Sequence, residues 1–161
     1  MQHLIKDGQT VADDPWTLVE ADGGIPDQGP VILPLAYYRE QRDEWRASGR
    51  TVGVWLNDAE FAEDVVDLLD ELELVALHFP KFADGRGFSK ARLLRERHNY
   101  DGEIRAIGDF LPDQAFYLKR CGVNAFACRN EQEAGTTARL LETFSVRYQA
   151  DVNARPLFEQ R

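Results

Sequence analysis

The sequence is poor in cysteine and contains no long apolar run. Its two cysteines cannot build the disulfide framework of a small secreted domain. A bilayer-spanning helix needs about 20 consecutive apolar residues, and no stretch approaches that length. No basic segment followed by an apolar stretch opens the chain, so we expect no secretory signal. These absences predict a cytoplasmic protein that does not bind a membrane.

Motifs for phosphate-binding loops, metal sites and activated nucleophiles are also missing. The chain contains no G-x-x-x-x-G-K-[ST], no C-x-x-C and no G-x-S-x-G, the signatures of P-loops, thiol metal or redox sites and α/β-hydrolases. Gly85-Arg86-Gly87 begins the dinucleotide pattern G-x-G-x-x-G, but Lys90 stands where the third glycine would let the helix pack closely on the strand. We therefore predict no standard NAD, FAD or P-loop site and no metal site. The sequence identifies no other cofactor.

Positive charge is scarce over the whole chain but concentrated in one stretch. The net charge of −9 argues against nucleic-acid binding, which needs a basic footprint. Residues 81–97 nevertheless carry six Lys or Arg against two acids, a net +4, so the remaining residues carry −13. A positive island on an acidic body is typical of a site for a small anion or an acidic partner. Residues 57–73 show the reverse, with eight acids and no Lys or Arg; such a face is usually only solvated, and the alternative is a docking surface for a basic redox partner.

From residue 30 onward the chain alternates between strand and helix patterns. The five apolar strand patterns are Val31–Leu35, Thr51–Leu56, Leu74–Phe79, Glu103–Ile107 and Val123–Cys128. Helical patterns follow them at 39–48, 57–72, 89–98, 112–121 and about 131–144. Such alternation implies parallel strands joined by right-handed crossovers. We predict an α/β fold of five βα units with a mainly parallel sheet, in an open three-layer arrangement of the flavodoxin or Rossmann type. A partial (β/α) barrel is the alternative, since closing a standard barrel takes eight units.

The two ends of the chain differ from this body. Residues 1–29 hold short strand patterns at His3-Leu4-Ile5 and Trp16-Thr17-Leu18-Val19, separated by glycine turns, and predict a β extension that includes a hairpin. The tail, residues 146–161, predicts an edge strand near Val146 and Tyr148. A length of 161 residues suits a single domain made of these three parts.

The loop after Leu74–Phe79 is the strongest candidate for a ligand site. The carboxyl ends of parallel strands meet at one edge of the sheet, where ligands bind in open sheets and barrels alike. This loop, of about nine residues, is long for a βα connection and runs into a helix predicted to start near Ser89. Glycines, helix amides and arginine forks suit a small anion. The predicted ligand-binding residues are Asp84, Gly85, Arg86, Gly87, Ser89, Arg92, Arg105 and Gln114. The alternative is that the glycines only form a turn and that Asp84 pairs with an arginine structurally.

Three titratable residues near the same edge are candidates for catalysis. Asp109 and Asp113 follow the fourth strand and could form an acid/base pair or position an arginine. Alternatively, Asp113 stabilises a helix N-terminus and Asp109 pairs with Arg86 or Arg105. His78 ends an apolar strand and is either catalytic or a core histidine. Both cysteines are predicted to be buried free thiols.

In three blocks the chain resembles a bacterial family of unknown function, numbered 934 among domains of unknown function and often labelled an oxidoreductase. The blocks are residues 79–95, 102–109 with 113–114, and 117–126. The resemblance implies a setting in assimilatory sulfate reduction, because such genes typically lie beside those for sulfite reductase and for adenylylsulfate or phosphoadenylylsulfate reductase. It implies no mechanism and no site residues.

Two functions follow as expectations. The first is an accessory protein of sulfate or sulfite reduction that binds a small anion (sulfate, sulfite or a phosphosulfate) or docks to sulfite reductase. The alternative is an oxidoreductase or other small α/β enzyme that acts on an anionic substrate at the carboxyl edge. The sequence leaves open whether the chain forms a homo-oligomer.

Overall fold

A computed structural model describes residues 3–80 and 86–145 of the chain. Within them the strands are β1 His3–Lys6, β2 Gln9–Val11, β3 Thr17–Leu18, β4 Val31–Pro34, β5 Val52–Leu56, β6 Leu74–Phe79, β7 Glu103–Gly108 and β8 Ala125–Cys128. The α-helices are α1 Leu35–Glu40, α2 Arg42–Ser48, α3 Arg86–Glu96, α4 Ala115–Cys121 and α5 Glu131–Ser145. Short 3₁₀ helices span Ala62–Asp64, Val66–Glu71 and Pro112–Gln114. The edge strand predicted near Val146 lies outside the described residues.

All the strands belong to one sheet, in the order β2-β1-β8-β7-β6-β5-β4-β3. The strands from β3 to β8 are parallel to their neighbours, and β1 is antiparallel to both β8 and β2. The N-terminal segment does form a hairpin, of β1 and β2, which turns at Asp7 and Gly8 with φ angles of 52° and 82°. The second predicted strand, near Trp16-Thr17-Leu18-Val19, is not part of it, because β3 pairs in parallel with β4 at the opposite edge of the sheet. The fold is therefore α/β with a mostly parallel sheet, as predicted.

The strand order is not that of the predicted three-layer sheet. A flavodoxin or Rossmann sheet reverses its strand order at a switch point and so carries helices on both faces. Here β4 to β8 follow one another in chain order, and right-handed crossovers then place every helix on the same face. The main core cluster lies between the sheet and the helices, whereas a smaller cluster on the opposite face contains no helical residue. We call these the helix face and the inner face; the arrangement is a curled half-barrel, which matches the alternative prediction.

The connection between β2 and β3 requires the sheet to curl. These strands form opposite edges of the sheet, yet only residues 12–16 join them. Seven strand spacings in a flat sheet would separate the two edges by about 34 Å. The six residue steps from Val11 to Thr17 can span at most about 22 Å. The edges must therefore approach each other, and residues 12–16, which we call the strap, cross the open side of the half-barrel.

A buried ion-pair network ties the strap to the middle of the sheet. Asp14 accepts hydrogen bonds from Arg105 on β7, at 2.8 Å from Nη1 and 3.3 Å from Nη2. Arg105 Nε donates to Glu103 at 2.7 Å, and Lys6 on β1 pairs with Glu103 at 3.0 Å. The Arg105 side chain is only 1% exposed, so its charge needs these partners. The network joins the strap, β7 and β1 with no net formal charge.

The segment after β5 departs from its predicted helix. The predicted N-cap forms, since Asn57 Oδ1 accepts the Glu60 N–H at 3.1 Å, but 3₁₀ helices follow instead of an α-helix. Asp64 turns back to accept the Phe61 N–H at 2.8 Å, and the next residues are the β-branched pair Val65-Val66. Side-chain capping and β-branching both compete with a continuous α-helix.

Both cysteines are free and buried, as predicted. Burial raises the pKa of the Cys121 thiol and of the Cys128 thiol, which keeps both in the protonated, weakly nucleophilic form. Across the described ranges, no helix has the length and apolar character needed to cross a membrane.

Removing the Asp14 carboxylate should destabilise the whole fold. In Asp14→Ala the buried Arg105 loses two hydrogen bonds, and breaking a buried ion pair costs about 3–5 kcal/mol. The neighbouring Asp13 is exposed, so Asp13→Ala removes the same charge outside the network. Urea unfolding should show a large loss of stability for Asp14→Ala and a change below about 0.5 kcal/mol for Asp13→Ala. Equal losses in the two variants would show that the strap is not anchored by this pair.

Candidate functional site

The carboxyl edge of the parallel strands collects most of the predicted site residues. β6 ends at Phe79 and β7 at Gly108, one beside the other in the sheet. The predicted residues divide between the two faces.

On the helix face, α3 begins at Arg86, three residues before the predicted start. Gly87 and Ser89 therefore lie in the first turn of the helix, not in a loop. Asp84 and Gly85 fall outside the described residues. A Cβ on Gly87 would overlap the ring of Phe79, so this glycine lets α3 approach β6 closely. The structure therefore gives Gly87 a packing role between α3 and β6, within the first turn of the helix.

Lys90 is a buried lysine in the first turns of the same helix. Its side chain is 5% exposed, and Nζ donates to the Asn57 carbonyl at the end of β5 at 3.0 Å. The sequence analysis considers Lys90 as one charge of the basic stretch and as the residue that replaces a third glycine, and does not predict that it is buried. The helical period could have predicted the burial of Lys90, because it places residue 90 on the inward face of the helix with Ala91 and Leu94.

Three predicted ligand-binding residues have structural partners elsewhere. Arg92 faces α4, where Nη2 lies 3.7 Å from the Cys121 sulfur. Arg105 belongs to the buried network on the inner face. Gln114 Oε1 accepts the Leu111 N–H at 2.9 Å and so caps a 3₁₀ helix. Within residues 3–80 and 86–145, no hydrogen bond or ion pair joins these three side chains to one another, and each has a partner of its own.

The two aspartates after β7 are held separately. Asp109 pairs with Arg129 at 3.0 Å, and not with Arg105, which binds Asp14 instead. Arg129 also pairs with Glu133 at 2.9 Å, and the bonds to Glu133 raise the pKa of its guanidinium. Asp113 is exposed in the first turn of Pro112–Gln114, the position of the structural alternative.

On the inner face, His78 lies in a cavity of about 280 Å³. The cavity is lined by Leu18, Glu20, Trp55, Asn57, Asp58, His78, Ile107 and Gly108. Trp55 packs against His78 with ring centroids 5.9 Å apart. Gly108 has a φ of 90°, and a Cβ there would overlap the Phe79 carbonyl and press on the His78 ring at 3.1 Å. Glycine at this position therefore shapes both the turn and the cavity wall.

The catalytic candidates are not brought together. His78 opens into the inner-face cavity, Asp109 is paired with Arg129, and Asp113 is at the surface. For residues 3–80 and 86–145, no group of three or more His, Cys, Asp or Glu is placed to hold a metal ion.

Comparison with models of known protein families shows which family the chain belongs to. Residues 53–158 match the family described as bacterial protein of unknown function (DUF934). The chain belongs to this family. The match confirms the expected resemblance and spans the carboxyl edge from β5 to β8, although the strap and β1 to β4 precede it. No curated protein matches the chain significantly.

Substitutions at two glycines test the close approach of α3 to β6 in this DUF934 protein. In Gly87→Ala the new methyl group collides with Phe79, and overpacking of this kind costs about 1–3 kcal/mol. Gly135 lies in α5 with open space around its Cα, so Gly135→Ala should stabilise by about 0.5–1 kcal/mol. Urea unfolding should show a lower free energy of unfolding for Gly87→Ala and a higher one for Gly135→Ala. A Gly87→Ala protein as stable as wild type would mean that α3 does not need this contact.

Proposed function

We propose that this protein is an accessory component of assimilatory sulfate or sulfite reduction that binds a small anion at the carboxyl edge, on the helix face. The observation that carries the proposal is the start of α3 at Arg86, the first described element after β6, within the +4 stretch of residues 81–97. The first N–H groups of a helix lack internal partners and lie at its positive dipole end. The buried ammonium of Lys90 adds a positive charge near the same end.

The chemistry of the pathway agrees with such a site. The genomic setting implied by the family resemblance centres on sulfate, sulfite and adenylylsulfates, all of which are anions. Helix amides and arginine forks bind tetrahedral oxyanions through several parallel hydrogen bonds. The proposed role is to hold or present such an anion, with sulfite reductase as the proposed partner.

The acidic segment of residues 57–73 supports a docking role. Asp67 and Glu71 are paired with Arg39 and Arg42, and the bond from Arg42 lowers the pKa of the Glu71 carboxyl. Several other acids of the segment are exposed, and so is Phe61, at 60%. An exposed aromatic among carboxylates suits a partner with a basic, partly apolar surface.

A thermal-shift experiment tests the anion site. Sulfate or sulfite should raise the Tm above that in chloride of equal ionic strength. A ligand at 100 times its Kd contributes about 2.7 kcal/mol, which corresponds to roughly 5–10 °C for a domain of this size. Arg86→Ala should keep only the smaller increase that sulfate gives to any folded protein, whereas Arg97→Ala, which removes an exposed charge beyond the other end of α3, should keep the full increase.

The Arg97 control separates site binding from the general stabilising effect of sulfate, which acts on every folded protein. If Arg86→Ala and Arg97→Ala respond to sulfate and sulfite like the wild type, the anion site is not at the start of α3.

A growth experiment tests the pathway. A deletion strain should grow poorly on sulfate or sulfite and normally on cysteine, and the wild-type gene should restore growth. The Arg86→Ala gene should fail to do so while the protein remains folded. Normal growth of the deletion strain on sulfate and sulfite, in a strain with no second copy of the gene, would refute the role.

The absorption spectrum of the purified protein distinguishes the enzyme alternative. An accessory anion-binding protein should show only aromatic absorption. A visible flavin or haem band would instead favour the oxidoreductase that acts on an anionic substrate.

A further inference from the structure

The inner-face cavity has a chemistry different from that of the proposed anion site. We propose that it binds a small planar organic cation, of the amidinium or guanidinium class, between the Trp55 ring and the Glu20 carboxylate. The cavity lies on the opposite face of the sheet from α3. The proposal is therefore independent of the accessory role and can fail or succeed separately.

The size and position of the cavity suit a small ligand. It lies at the carboxyl mouth of the half-barrel, the location of ligand sites in barrels. Its volume of about 280 Å³ is close to the lower end for small-molecule pockets. Leu18 and Ile107 provide apolar walls on either side, so the face of a flat group can be desolvated there.

Trp55 is held in place before any ligand arrives. Its Nε1 donates to the Val19 carbonyl at 2.9 Å, which fixes the indole plane against the segment that follows the strap. A fixed indole face attracts a cation through the ring quadrupole, and tryptophan is the best residue for this contact. Because the ring is already ordered, binding costs little side-chain entropy.

The charges of the lining favour a cation over an anion. Among the lining residues named above, the ionised side chains are acids and none is Lys or Arg. The Glu20 carboxylate has no side-chain partner in the described part of the chain, so it can pair with an incoming N–H group. Two buried cations are described near this part of the sheet, and neither lines the cavity: Lys90 donates to the Asn57 backbone carbonyl, and Arg105 is paired with Asp14 and Glu103.

His78 completes the polar side of the cavity. Neither ring nitrogen has a hydrogen-bond partner within residues 3–80 and 86–145, and the ring is half-buried. A neutral imidazole presents one acceptor nitrogen, which can receive an N–H from a planar cation resting on Trp55. This gives the histidine a binding role that needs neither Asp109 nor Asp113.

Three isosteric probes test the charge preference. Benzamidine, benzamide and benzoate share one shape and carry +1, 0 and −1. NMR titration follows the His78 Cε1–H resonance, which is assigned with His78→Gln because the chain has three histidines. Benzamidine should shift this resonance saturably, benzamide should bind about tenfold more weakly, and benzoate should leave it unchanged.

Two acid variants locate the contact. Glu20→Gln should weaken benzamidine binding about three- to fivefold, the upper part of the range for a solvent-exposed ion pair. Asp22→Asn removes an exposed charge two residues away that does not line the cavity, and should bind like wild type. The proposal is overturned if benzamide or benzoate binds as well as benzamidine, if none of the three shifts the His78 resonance, or if Glu20→Gln binds benzamidine unchanged.

Discussion

The ion pair between Asp14 and Arg105 is the contact on which the shape of the sheet depends. A five-residue strap cannot join the two edges of a flat sheet, and the pair fastens that strap over the middle strand. A buried arginine in a central strand would be costly by itself. Glu103 and Asp14 supply the compensating charges from its own strand and from the strap. Arg105, which the sequence suggests as a ligand-binding residue, thus holds the strap against the sheet of the half-barrel.

The curl separates the two faces of the carboxyl edge chemically. On the helix face, α3 begins at Arg86, and Gly87 in its first turn lies against Phe79 at the end of β6. On the inner face, Trp55 and His78 meet acids contributed partly by the segment after the strap. Sequential strand order keeps all helices on one side, and this leaves the inner face open to carry a cavity. The two proposals therefore assign opposite charge preferences to the two sides of one strand-end edge.

Local sequence patterns predicted the elements better than their arrangement. β6 has the predicted bounds because both of its faces are buried and its apolar run is continuous. The sequence leaves two arrangements of the strands open, the open sheet and the partial barrel, because contacts such as Asp14–Arg105, which are 91 residues apart, leave no local sequence pattern. The site shows the same limit. The sequence places His78 at the end of a strand, but the face of the sheet on which it lies follows only from the order of the strands. Likewise, the sequence does not reveal that Gly87 packs against Phe79.

The pairing of β1 with β8 has a consequence for the order of folding. His3 lies opposite Cys128, so the first strand of the chain finds its partner only after nearly all of the body exists. During synthesis at about 5–20 residues per second, β1 waits on the order of 6–25 s for that partner. Contacts so distant in sequence also slow folding in solution. Until then β1 keeps one edge without a hydrogen-bonded partner strand. Pairing of this edge with β8 is therefore the step that completes the sheet.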